Sequence, residues 1–150
     1  MIKIIDHVAL SVSNIERSIK FYQDIIGFKI KLKLGNGFDT PLDEVTGLPG
    51  CKAQIAHLNL GNTMLELFEF SIPRGKPIPS NAGPYKHFGW IHLSFTSTDV
   101  RADFSKLASQ GVEFISKPLE FRPGVWVVYF NGPDGEVCEL RETPESSANS

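Results

Sequence analysis

The sequence predicts an α+β fold. Two tandem βαβββ modules would form a curved mixed sheet around a cleft, with helices on its outer face. Three observations carry this reading. The segment His7-Val8-Ala9-Leu10-Ser11-Val12 and the helical pattern behind it, ending at Gly27, recur as His92-Leu93-Ser94-Phe95-Thr96-Ser97 and a helical pattern ending at Gly111. The interval from histidine to glycine is 20 residues in the first copy and 19 in the second, and Ile15, Ile19 and Tyr22 fall at the offsets of Val100, Phe104 and Leu107. Each copy then closes on a strand-like segment with a carboxylate among apolar residues, Met64-Leu65-Glu66-Leu67 and Val137-Cys138-Glu139-Leu140.

Taken in order, residues 2–12 read as a strand in which Val8, Leu10 and Val12 alternate with His7, Ala9 and Ser11. Asn14 is a fitting N-cap for a helix to Ile26, whose apolar positions Ile15, Ile19, Tyr22 and Ile26 keep helical spacing. Gly27 suits the left-handed position that ends it. Phe28-Lys29-Ile30-Lys31-Leu32-Lys33-Leu34 alternates as a strand, and the Gly/Pro-rich residues 35–50 form a loop or lid. Strands over 53–60 and 63–70 are joined at Gly61-Asn62, a two-residue hairpin signal. Residues 71–89 read as a linker. The second copy then gives a strand over 90–97, a helix capped at Thr98 or Asp99, and strands over 112–116, 125–130 and 136–141 with a turn at Pro133-Asp134-Gly135. The chain is thus expected to be one domain over 1–150: module one about 1–70, linker about 71–89, module two about 90–143 and a frayed polar tail at 144–150.

Composition narrows the partners. With 150 residues, 41% of them hydrophobic, the chain can bury a good core. A net charge of −2 implies no general affinity for nucleic acid or an anionic membrane. No signal peptide and no run of membrane-spanning length is expected. The cysteines are Cys51, in a loop, and Cys138, in a strand, which makes no disulfide framework and points to the cytoplasm.

Alternation also sorts the strand faces. Val8, Leu10, Val12, Leu65, Leu67, Ile91, Leu93, Phe95, Cys138 and Leu140 make an apolar, helix-side set. The opposite set holds His7, Glu66, His92 and Glu139. One such residue alone is more often structural. Both types, twice, at equivalent positions and with common parity, point instead to the ligands of a divalent metal ion, which answers the cost of burying carboxylates. Among the remaining residues, His57 is expected to be structural or pocket-lining and His87 to be exposed in the linker. Lys29, Lys31 and Lys33 are expected to share a solvated edge face, the sharper alternative being a docking strip for a thiol-conjugated substrate. Arg122, Trp126 and Phe130 are candidates for the pocket mouth, the last two sharing parity as pocket or core residues would.

The run Asp6 to Val12, Ser18-Ile19-Lys20-Phe21-Tyr22, Gly27-Phe28, Met64 to Leu67 and Asp134 to Leu140 resembles the vicinal oxygen chelate superfamily over nearly the whole chain. That superfamily includes glyoxalase I, methylmalonyl-CoA epimerase, extradiol dioxygenases, fosfomycin-modifying thiol transferases and metal-free bleomycin-binding proteins. By position, His7, Glu66, His92 and Glu139 match the four metal ligands of glyoxalase I. The resemblance implies one divalent ion per site (Zn, Ni, Co, Mn or Fe) in a metal-binding cleft, and a homodimer. It implies an isomerase or lyase moving a proton on a small vicinally oxygenated substrate through a metal-stabilised enediolate, with Glu139 as the base and Glu66 sharing the role. The alternatives are an Fe(II)-dependent dioxygenase and a non-catalytic small-molecule or antibiotic-binding protein. The interval from His7 to Glu66 is 59 residues against 47 from His92 to Glu139, the excess falling in the 35–50 loop, where it suggests a substrate gate.

Overall fold

The computed structural model describes residues 1–35, 41–78 and 88–144. The elements are β1 (His7–Ser11), α1 (Ile15–Phe21) continued by a π-helical turn (Tyr22–Ile26), β2 (Lys29–Leu34), α2 (Leu42–Thr46), β3 (Lys52–Leu60), β4 (Thr63–Ile72), β5 (Leu93–Thr96), α3 (Val100–Ser109), β6 (Leu119–Arg122), β7 (Val125–Asn131) and β8 (Val137–Glu142). The chain divides into two compact units after Pro77. Each unit is βαβββ-like with one four-stranded mixed sheet, ordered β1-β4-β3-β2 in the first and β5-β8-β7-β6 in the second. In both, the opening strand pairs parallel with the closing one and every other pairing is antiparallel. The helix between the first two strands provides the crossover that a parallel pair requires.

In the first unit the Asn14 side chain accepts from the Arg17 N–H and starts α1, and Gly27, at φ 100°, ends the π-helical turn in a conformation that suits glycine. Ile15, Ile19 and Tyr22 are buried together with Ala56, Leu58, Leu65 and Leu67. Each such leucine removed from water stabilises the unit by about 1.5–3 kcal/mol. The hairpin of β3 and β4 turns at Gly61, φ +57°, as its Gly-Asn pair predicts. In the second unit Asp99 caps α3 by accepting from the Arg101 and Ala102 N–H groups, and Val100, Leu107, Val128, Phe130, Cys138 and Leu140 form the core.

A further repeat lies three residues beyond each strand glutamate. Glu69 Oε2 accepts from the Ile15 N–H at 2.8 Å, and Glu142 Oε2 accepts from the Val100 N–H at 2.9 Å. Each closing strand therefore sends a carboxylate to the first turn of its own unit's helix, where unpaired N–H groups and the helix dipole favour negative charge. Glu142→Ala is expected to cost about 1–2 kcal/mol in urea unfolding. A change below about 0.3 kcal/mol would contradict this capping role.

Several sequence expectations need correction. The first strand begins at His7, not residue 2, and Met1, Ile2, Ile4 and Ile5 are exposed. The strand expected over 90–97 is confined to Leu93–Thr96, with Trp90 and Ile91 exposed. Residues 112–116 form no strand: Phe114 makes a single bridge to Phe130, and β6 lies further on. The alternation there reflects Phe114 packing against Phe104 and Phe130, not a ladder. Part of the 35–50 segment is helical, as α2. Residues 36–40 of that expected lid, His87 and residues 145–150 of the expected tail lie outside the described residues.

The shared lysine face is also overturned. The β2–β3 register slips between Ile30 and Leu32, leaving Lys31 at the irregularity. Lys29 pairs with Asn59 whereas Lys33 pairs with Ala56, so the two fall on opposite faces of the sheet. Lys33 Nζ pairs with Glu16 on α1. Among the described residues no helix is long and apolar enough to cross a membrane.

Candidate metal centre

Strand registry places His7 and Glu66, and Glu139 beside Ser94, on the faces that parity expects. In the first unit His7 lies opposite Met64, and Ala9 opposite Glu66, in the parallel β1–β4 pair, so His7 and Glu66 share the face away from the buried leucines. His7 Nε2 stands 3.2 Å from Glu66 Oε2. On the other side of the ring, His7 Nδ1 is 2.8 Å from Asp6 Oδ2. In the second unit His92 immediately precedes β5, and its Nε2 stands 3.5 Å from Glu139 Oε2. Ser94, opposite Glu139 in the register, donates its hydroxyl to the same Oε2 at 2.5 Å. The His92 ring packs against Tyr129, centroids 5.1 Å apart.

The structure thus brings His7 to Glu66 in one unit and His92 to Glu139 in the other. Among the described residues, no three or more His, Cys, Asp or Glu side chains are arranged to hold a metal ion. The donors themselves fit one. Imidazole nitrogen and carboxylate oxygen suit a borderline divalent ion. Both Nε2 atoms turn toward a carboxylate. The Asp6 carboxylate fixes the far side of the His7 ring, the usual outer partner of a ligating histidine. His92 Nδ1 is buried and has no hydrogen-bond partner among the described residues. Glu139 is only 7% exposed, and a carboxylate so placed needs hydrogen bonds or a cation.

The Asp6 hydrogen bond raises the His7 pKa above its ordinary 6.5; partial burial opposes this, and the charges of Glu66 and Asp6 add to the rise. The folded protein therefore holds the His7 proton more tightly than the unfolded chain does. That contribution to stability is fully present below about 6.5 and is lost as pH rises through the raised value. In chelator-treated protein the His7 ring is expected to titrate above 6.5 by NMR, and Asp6→Asn should move its midpoint down. An unmoved midpoint would contradict the Asp6 assignment.

His57 carries more than the sequence suggests. It lies opposite Glu66 in the β3–β4 register, and its Nε2 is 2.8 Å from Glu66 Oε1. The equivalent position opposite Glu139 is Tyr129. Only the common parity of His57 and Glu66 across the Gly61-Asn62 hairpin signals this in the sequence. The proposed mouth residues separate. Phe130 is fully buried in the core, and Trp126 lies under the Arg101 guanidinium of α3, 4.5 Å from its ring centre, so both belong to the helix side. Arg122 is exposed on β6.

Comparison with known proteins agrees with this architecture. The model of the Glyoxalase/Bleomycin resistance protein/Dioxygenase superfamily matches residues 4–140. An uncharacterised Bacillus subtilis protein is 26% identical, over 93% of this chain and 98% of its own. A 2-epi-5-epi-valiolone epimerase from an Actinomyces species is 31% identical, over 93% of this chain and 79% of its own. The crystal structure of a glyoxalase family protein from Bacillus cereus superposes with a TM-score of 0.79 at 24% identity, covering 92% of each chain, and shows the shared fold. With its paired βαβββ-like units and a family match over most of its length, the chain belongs to the glyoxalase/bleomycin resistance protein/dioxygenase superfamily.

Proposed function

We propose that this protein is a metal-dependent isomerase or lyase that moves a proton on a small, vicinally oxygenated carbonyl or hydroxyl substrate. The observation that carries the reading is the repeated pairing of a histidine Nε2 with a strand glutamate, His7 with Glu66 and His92 with Glu139. His7, Glu66, His92 and Glu139 are the proposed ligands for a divalent ion. When bound, that ion supplies Lewis-acid polarisation of a substrate carbonyl or neighbouring oxygen pair.

The chain's own groups divide the remaining work. Glu139 is the proposed base. It is held by Ser94 on the buried closing strand, so its position is fixed before substrate arrives. Glu66 shares its oxygens between His57 and His7, which suits a ligand more than a mobile proton carrier. The 31% identical relative named an epimerase supports proton-transfer chemistry over oxygen activation. Two buried cysteines that form no disulfide, Cys51 and Cys138, support a reducing, cytoplasmic setting.

The test is solvent isotope exchange. Purified protein is incubated in deuterated water with a panel of 2-hydroxy ketones, 2-hydroxy aldehydes, thiohemiacetals and acyl thioesters bearing an acidic C–H. Exchange or isomerisation of one member, lost on chelation and restored by a divalent ion, is the expected result. Oxygen consumption with a catechol in place of exchange would favour the dioxygenase. Tight ligand binding that survives chelation, without turnover, would favour a binding protein.

A further inference from the structure

The two strand glutamates occupy equivalent places in the repeat but are held differently. Glu139 takes the Ser94 hydroxyl on the same oxygen that faces His92, with Ser94 supplied by the parallel neighbour β5. At the equivalent of Ser94 the first unit has Ala9, which has no group to donate. Glu66 is held from the other side, by His57 on the antiparallel neighbour β3. The bond uses Oε1 alone, so Oε2 is the oxygen turned to His7 Nε2, at 3.2 Å.

We propose that His57 is a positioning residue for the metal site. Its Nε2–H donates to Glu66 Oε1 and sets the carboxylate rotamer, so that Oε2 and His7 Nε2 are presented together. This rests on the metal-dependent reading above. An unheld glutamate side chain samples several rotamers, and fixing it in advance lowers the entropy cost of ligation. Hydrogen-bond partners of metal-ligating carboxylates typically contribute about 10–100-fold in metal affinity. His57 is suited to the task because it is half-buried and paired directly across the ladder, where the β3–β4 register holds it in place.

The experiment is a cobalt(II) titration of chelator-stripped protein, followed by visible absorption, on the wild type, His57→Leu and His57→Gln. Thermal unfolding of each metal-free protein is recorded alongside. The expected result is cobalt affinity weaker by about 10–100-fold in His57→Leu. His57→Gln, whose amide N–H can replace the Nε2 donor, should recover most of that loss. The metal-free melting curves should show cooperative unfolding in all three proteins. Wild-type affinity in His57→Leu, or an equal loss in both variants, would overturn the positioning role while leaving the metal reading intact. No cobalt uptake by the wild type would overturn the metal reading, and this assignment with it.

Discussion

Assayed at saturating divalent metal, because Glu139 is also a proposed ligand, Glu139→Gln is expected to lower turnover in the isotope-exchange assay by about 10²–10⁴-fold, the usual contribution of a positioned acid–base group. The substitution keeps the shape of the side chain and removes its ability to accept a proton from carbon. Glu139 sits on β8, flanked by β5 and β7, and is 7% exposed, so the strand register fixes where its carboxyl group lies. Ser94 can turn its hydroxyl to pair with an amide as well as with a carboxylate, so the fold should survive. An unchanged far-UV spectrum and melting curve would establish that. Glu66→Gln is the informative companion. It should weaken metal binding, because an amide oxygen is a poorer ligand than a carboxylate, with turnover returning at high metal concentration. Full turnover in Glu139→Gln would remove Glu139 as the base.

Phe130→Ala should be the most destabilising single change in the second unit, costing about 3–5 kcal/mol. Phe130 is fully buried on β7 and joins an aromatic cluster with Phe95 of β5 at 6.4 Å and Phe114 at 5.6 Å. Phe114 in turn meets Phe104 of α3 at 4.5 Å. The ring thus ties the helix, the sheet and the non-strand segment around 112–116 together. Removing it leaves a cavity that Val128, Cys138 and Leu140, in a close-packed interior, can only partly fill. For a chain of this size the melting midpoint should fall by roughly 6–20 °C. A fall below about 2 °C would mean that this cluster is not central to the core. Phe130→Leu, which keeps most of the apolar volume, should lose less.

The legible parts of this fold are those written as local pattern. Asn14 and Asp99 begin helices because their side chains satisfy N–H groups one turn ahead, and the sequence carries that chemistry openly. The common parity of His7 and Glu66 follows from alternation and agrees with the β1–β4 register; His92 lies just before the β5–β8 ladder and meets Glu139 by side-chain contact. What alternation could not reveal is where it breaks. The irregularity at Lys31 reverses the faces of β2 without any glycine or proline to mark it. Val112 and Phe114 alternate as in a strand, yet Phe114 serves the core from outside a ladder. Trp126 and Phe130 were equally compatible with pocket and core, and only the positions of Arg101 and Phe95 place them on the helix side. The role of His57 is hard to read in the sequence because its partner is set by cross-strand register, not by spacing along the chain. The capping glutamates Glu69 and Glu142 carry a signal, the repeated Glu-x-x-Glu beginning at Glu66 and at Glu139, whose second member strand alternation does not single out.

A metal ion served by the two His–Glu pairs should be visible in elemental analysis. Protein purified without chelator and without nickel affinity resin is analysed beside His7→Ala and His92→Ala. About one divalent ion per chain is expected in the wild type, lost from both variants while their folds persist. Nickel, zinc, cobalt or manganese would support the isomerase or lyase, and iron would favour the dioxygenase. No metal in the wild type, and none taken up when divalent ions are added back, would overturn the metal-dependent function and leave a metal-free binding protein on this fold.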